Sequence, residues 1–153
     1  MTSNKVGGPT LEQKRKVVTS IPGPKSLEMQ KRRNEVVSAG VSSTLPVYVQ
    51  RAGGGIIEDI HGNSFIDLAA GIAVTSVGNA NPIVVKNVQN AVEQFTHTCF
   101  MIAPYESYVQ VCEALARLTP GKHAKRSALF NSGAEALENA VKIARYFTKK
   151  DAI

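Results

Sequence analysis

The sequence predicts an α/β chain that starts with a helical arm, passes through a small antiparallel meander and then enters a larger α/β domain. Three observations predict it. Between Val47 and Asp67, short runs rich in β-branched and aromatic residues alternate with turns built from glycine and asparagine, the pattern of hairpin-linked strands. From Asn81 onward, apolar residues recur three and four apart, which places them on one face of a helix. Finally, Ala128-Leu129-Phe130 reads as a short strand that turns through Ser132-Gly133 into a long amphipathic helix, a strand-turn-helix unit of an α/β sheet.

Taken in order, residues 1–20 are polar, charged and punctuated by Gly7-Gly8-Pro9, and read as a flexible basic tail. They lack the apolar stretch of a secretory signal. Ile21-Pro22-Gly23-Pro24 blocks regular structure and separates the tail from a helix running from Ser26 to about Ser38. Strands are expected at Val47–Val49, Gly55–Asp59 and Ser64–Asp67, with turns at Gly53-Gly54 and His61-Gly62-Asn63. Glycines 53–55 lack the spacing of a phosphate loop and no helix follows them, so they read as a hairpin turn. This helix and meander form a segment of residues 21–80, and residues 81–153 begin the larger domain. Asn81-Pro82 opens a helix with proline at its first position, carrying Val84, Val85, Val88, Ala91, Val92 and Phe95. A further helix runs from about Tyr105 to Leu118, with Val109, Cys112 and Leu115 on its apolar face, and stops at Thr119-Pro120-Gly121. A parallel sheet needs several strands to bury both faces, and only one core strand is present. The chain is therefore expected to be the N-terminal portion of a longer protein.

Composition narrows the function classes. The chain has 153 residues, 43% of them apolar, enough for one sizeable core. It contains no apolar run of the length that spans a bilayer. Cys99 and Cys112 are too few for a disulfide scaffold and read as buried thiols of a cytoplasmic protein. The net charge of +6 is concentrated in residues 1–38, where eight Lys/Arg face three Glu. No aromatic residue interleaves Lys14-Arg15-Lys16 or Lys31-Arg32-Arg33, so a solvated arm is expected rather than a nucleic-acid surface.

The stretch from Asn131 to Arg145 carries the chemistry. Ser132, followed three residues later by Glu135, is a capping box that fixes the helix start. There, unpaired N–H groups and the positive end of the helix dipole converge, and Gly133 has no Cβ to keep an anion away. Two readings stand side by side: an anion seat, or a capped helix with no ligand. Behind the turn, Leu137, Ala140, Val141 and Ala144 form an apolar face, with Glu138 and Lys142 paired opposite. His97 and Cys99 lie two residues apart with no third group to orient a base, and packing is the preferred reading. His61, His97, His123 and the two cysteines have no metal-ligand spacing.

Three ordered stretches resemble the class III aminotransferases, pyridoxal-phosphate enzymes of fold type I. The segment Asn131-Ser132-Gly133-Ala134-Glu135-Ala136 looks like their phosphate-binding turn, and Gly53 to Leu68 resembles their N-terminal hairpin. Gly71-Ile72-Ala73-Val74-Thr75-Ser76-Val77-Gly78-Asn79 and Thr96-His97-Thr98-Cys99-Phe100 look most like the 4-aminobutyrate aminotransferase branch.

The resemblance implies a fold type I chain in which the meander lies outside the large cofactor domain. It implies pyridoxal 5'-phosphate as cofactor, 4-aminobutyrate or a similar ω-amino acid as amino donor, and a 2-oxo acid such as 2-oxoglutarate as acceptor. Gly133 and Ala134 match the pair whose N–H groups hold the phosphate, with Ser132 beside them as cap and hydroxyl donor. Relatives often carry a hydroxyl residue where this chain has Ala134, which leaves it one side-chain donor short. Ile72 matches a substrate-facing position, and reads from the residues alone equally well as a core isoleucine. Thr96 to Phe100 are expected near a subunit interface, since sites of this class form between two protomers, and the full-length protein is expected to be a homodimer or higher oligomer. The Schiff-base lysine, the aspartate on the ring nitrogen and the specificity arginine are implied beyond Ile153; Lys142 and Lys149 lack a suitable pocket. No catalytic residue is therefore expected here, and the chain alone is expected to be inactive. The rival reading is a short non-catalytic module that binds a phosphate ligand or another subunit.

Overall fold

The computed structural model describes residues 10–152. The opening of the expected tail, with Gly7-Gly8-Pro9, lies outside the described residues. The chain divides into two compact units, one up to Thr96 and one from His97.

In the first unit, three antiparallel strands follow one another in the order β1 (Val49–Gly53), β2 (Ile56–Asp59), β3 (Ser64–Ile66). Gly53 pairs with Ile56, so the turn is the two residues Gly54-Gly55, and Gly54 sits at φ +59° in the left-handed region. That requirement displaces the first strand from the expected Val47–Val49 to Val49–Gly53, because a two-residue hairpin places its strand ends directly around the glycine that can adopt this φ. Across the sheet Arg51 grips Glu58 in a fork, with Nε–Oε1 at 2.6 Å and Nη2–Oε2 at 3.1 Å. This hydrogen-bonded fork holds the Glu58 carboxyl below its usual range.

Residues 11–20, expected to belong to a flexible tail, are tied to the meander. Lys16 exchanges two backbone hydrogen bonds with Ser64 at 3.0 and 2.7 Å, Gln13 spans the Gly53–Gly55 turn, and Leu11 is buried. The buried centre is largely polar: Asp59, Asn63 and Ser26 join Ile56 and Leu11. Asn63 is fully buried. Its Oδ1 accepts from the N–H groups of Val18 and Thr19, and its amide donates to Thr19 Oγ1 and Asp59 Oδ2. Helix α1 (Pro24–Val36) begins with proline in its first turn and no side-chain cap of its own; the Lys25 N–H instead donates to His61 Nε2 at 3.1 Å.

After β3 comes α2 (Ala70–Ala73), a single turn that the sequence reading did not anticipate. All four of its residues have positive φ, from 47° to 68°, so the turn is left-handed. For an L-residue other than glycine this costs roughly 1–2 kcal/mol each. Helix α3 (Pro82–Gln94) starts as expected: the Asn81 side chain accepts from the N–H groups of Ile83 and Val84, and proline occupies the first turn.

The second unit contains α4 (Glu106–Leu118) and α5 (Gly133–Thr148). Phe100 stacks on Tyr108 at 4.0 Å between ring centroids and meets Tyr105 edge-on at 5.4 Å. The strand expected at Ala128–Phe130 does not form. A strand needs a neighbour to take its backbone hydrogen bonds, and among the described residues none runs beside it. Leu129 N–H donates to the Tyr108 hydroxyl instead, at 2.8 Å. Cys99, expected to be buried, is exposed, and Cys112 is half-buried. No described helix is long and apolar enough to cross a membrane.

Candidate functional site

Ser132, Gly133 and Ala134 meet at the N-terminus of α5. Ser132 holds extended backbone angles and its Oγ accepts from the Glu135 N–H at 3.2 Å, while its carbonyl accepts from Ala136. The reciprocal half of the capping box is displaced by one residue: Glu135 Oε2 accepts from the N–H of Asn131, not that of Ser132. Glu135 thus closes the Asn131–Glu135 turn from both sides.

Of the four N–H groups at the head of α5, those of Glu135 and Ala136 are therefore engaged. Those of Gly133 and Ala134 have no acceptor among the described residues, and helix geometry gives them none. The space above Gly133 is open: a Cβ built there meets no atom within 4 Å. Two free donors, the positive end of a sixteen-residue helix and an unobstructed approach form a place where an anionic oxygen is stabilised. Because the Ser132 hydroxyl only accepts in its cap bond, it keeps its own proton for donation. Ser132→Ala is expected to cost the start of α5 about 1 kcal/mol, measured as faster amide exchange at Glu135 in the full-length protein.

Farther along α5 the expected ion pair forms, while Leu137 on the expected apolar face is 68% exposed. Glu138 and Lys142 pair at 2.8 Å, and Lys149, at the left-handed C-cap, lies 3.8 Å over the Tyr146 ring.

Ile72 belongs to the first unit. It occupies the left-handed turn α2 and is 92% exposed, so it is not a core isoleucine among the described residues. A β-branched residue at φ 59° is a rare conformation that persists where surrounding bonds over-determine it. One of those bonds comes from Asp67, whose Oδ1 accepts from the Ala70 N–H at 2.8 Å. The sequence reading passed over Asp67, although an aspartate three residues before an alanine-glycine pair is a local signal for a capped turn. Among the described residues no group of three His, Cys, Asp or Glu side chains is placed to hold a metal.

Comparison with known proteins identifies the family. The family description "Aminotransferase class-III" matches residues 36–153. The chain is 60% identical over 144 residues to the 4-aminobutyrate aminotransferase of Mycobacterium bovis, covering 94% of this chain and 32% of that protein. It is 42% identical over 118 residues to the 5-aminovalerate aminotransferase of Pseudomonas aeruginosa, covering 77% of this chain and 28% of that protein. It thus spans about a third of the length of the curated relatives it matches. Among solved structures, an ornithine aminotransferase from Toxoplasma gondii, described with partial occupancy of PLP at its active site, superposes with a TM-score of 0.69. That match has 28% identity and covers 78% of this chain and 27% of the other. The helices and three-stranded meander are the N-terminal part of fold type I, and the match over residues 36–153 makes this chain a member of the class III aminotransferase family.

Proposed function

We propose that the full-length protein is a pyridoxal-phosphate-dependent aminotransferase that moves the terminal amino group of 4-aminobutyrate, or a similar ω-amino acid, to a 2-oxo acid such as 2-oxoglutarate. What carries this reading is the 60% identity to a 4-aminobutyrate aminotransferase, extending over 94% of the chain. The relative named for 5-aminovalerate also acts on a terminal amine, which supports the ω-amino class.

In this reading Gly133 and Ala134 donate their free N–H groups to the cofactor phosphate, and the Ser132 hydroxyl adds a third donor. When bound, pyridoxal phosphate supplies the electron sink that amino-group transfer requires. The residues of this chain anchor it, and the open space at Gly133 lets an anion approach the backbone. Ile72 supplies an aliphatic surface to the methylene chain of the donor. Residues 21–80 form the helix and meander outside the cofactor domain, residues 81–153 open that domain, and the working form is a cytoplasmic homodimer or higher oligomer.

The test uses the full-length protein loaded with pyridoxal phosphate, 4-aminobutyrate and 2-oxoglutarate. Glutamate and succinic semialdehyde are expected in equal amounts. Glutamate formed from α-amino donors alone would sink the ω-amino assignment.

A further inference from the structure

We propose that Asp67 is a positioning residue: its carboxylate closes the neck of the loop 67–79 and thereby holds the left-handed turn carrying Ile72 in one place. The consequence for substrate choice rests on the Ile72 contact proposed above.

The loop leaves the sheet after Ile66 and returns at Asn79, and both of its ends dock on the Gly54-Gly55 turn. Asp67 N–H donates to the Gly55 carbonyl at 2.9 Å, while Gly54 and Asn79 exchange backbone hydrogen bonds at 2.9 and 2.8 Å. Gly78, at φ +89°, packs so closely on Gly54 that a Cβ there would lie 3.3 Å from the Gly54 Cα. The Asp67 carboxylate bridges the neck and the turn. Oδ2 accepts from Asn79 Nδ2 at 3.3 Å, and Oδ1 accepts from the Ala70 N–H at 2.8 Å.

Within the turn the other bonds are local: Ile72 and Ala73 donate to Ala69, and Thr75 to Ala70. Among the described residues Asp67 is the side chain that links Ala70–Ala73 to the neck. Burial does not hold the turn either, since Leu68, Ile72 and Val74 are 92%, 92% and 81% exposed. A left-handed run that includes a β-branched residue needs such an external constraint to persist. The first N–H of the turn, donating to the half-buried Asp67 carboxylate, supplies it. Candidate donors differ by single methylenes, and discrimination at that level depends on where an aliphatic wall stands.

The test uses the full-length, cofactor-loaded enzyme and three variants, Asp67→Ala, Asp67→Asn and Ile72→Ala. Two quantities are read: amide exchange at residues 70–78, and the ratio of kcat/KM for 4-aminobutyrate to that for 5-aminovalerate. Asp67→Ala is expected to speed exchange at Ala70 by about tenfold, with β2 amides unchanged, and to shift the ratio several-fold in the direction of Ile72→Ala. Asp67→Asn is expected to stay near wild type in both, because Asn79 can turn its amide and present an oxygen. Unchanged exchange in Asp67→Ala overturns the pinning. Faster exchange with an unmoved ratio, while Ile72→Ala moves it, overturns the positioning role. An unmoved ratio in Ile72→Ala removes the substrate contact itself, and an enzyme that accepts neither donor removes the proposed function; exchange at Ala70 still decides the pinning. If Asp67→Ala does not fold, Asp67→Leu keeps the bulk, removes the acceptor for the Ala70 N–H and is judged by the same two readings.

Discussion

Gly133→Val in the full-length protein is expected to weaken cofactor binding by about a hundredfold or more while leaving the thermal stability almost unchanged. The two effects separate because the position is helical and open. Among the described residues a Cβ at Gly133 meets no atom within 4 Å, so none of them has to move. An isopropyl group there would occupy the space in front of the free Gly133 and Ala134 N–H groups. Hydrogen bonds to a charged partner contribute roughly 1.5–3 kcal/mol each, so losing two amounts to a factor of at least about a hundred. Cofactor retained after dialysis, followed by its absorbance, measures the first effect, and a melting curve of the apo-protein measures the second. Undiminished retention would show that the phosphate binds elsewhere; a collapsed melting temperature would show that Gly133 serves packing and not ligand approach.

The capped start of α5 was legible in the sequence because its determinants are local. Ser132 and Glu135 are neighbours on one turn, and the cap bond between them depends on nothing beyond that turn. The same holds for α3, where Asn81 and Pro82 mark the start without help from the rest of the chain. What escaped the sequence reading depends on partners distant along the chain. Ala128–Phe130 has strand-forming residues but no neighbouring strand among the described residues, so propensity alone produced no ladder. Three of the four residues of the left-handed turn at Ala70–Ala73, all but Gly71, individually disfavour it. Its side-chain link to the sheet runs through Asp67 and Asn79, which meet beside a hairpin turn that starts at Gly54. Residues 11–20 look like a solvated arm from their composition, yet the sheet edge at Ser64 and the buried amide of Asn63 are their actual partners.

That buried amide sets the second large effect. Asn63→Ala is expected to destabilise the meander by about 3–5 kcal/mol, read as the opening free energy of β2 amides by hydrogen exchange in the full-length protein. The loss exceeds that of a single hydrogen bond because truncation orphans groups on both sides. Val18 and Thr19 N–H lose their acceptor, and Asp59, only 1% exposed, loses the amide that satisfies Oδ2. The Asp59 carboxyl itself adds a pH dependence of definite sign. Burial pushes it up, but hydrogen bonds from the Asn63 amide and from the N–H groups of His61 and Asn63 outweigh burial, and the net direction is down. A carboxyl lowered in the folded state contributes stability that is present above the unfolded value, near 3.9, and is lost as pH falls through the lower folded value. The stability lead of wild type over Asp59→Ala should therefore be constant near neutrality and shrink only below about pH 4. A lead that shrinks between pH 7 and 5 would assign the titration to another group. A lead that never shrinks would mean that Asp59 stabilises the turn through its shape, and not through its charge.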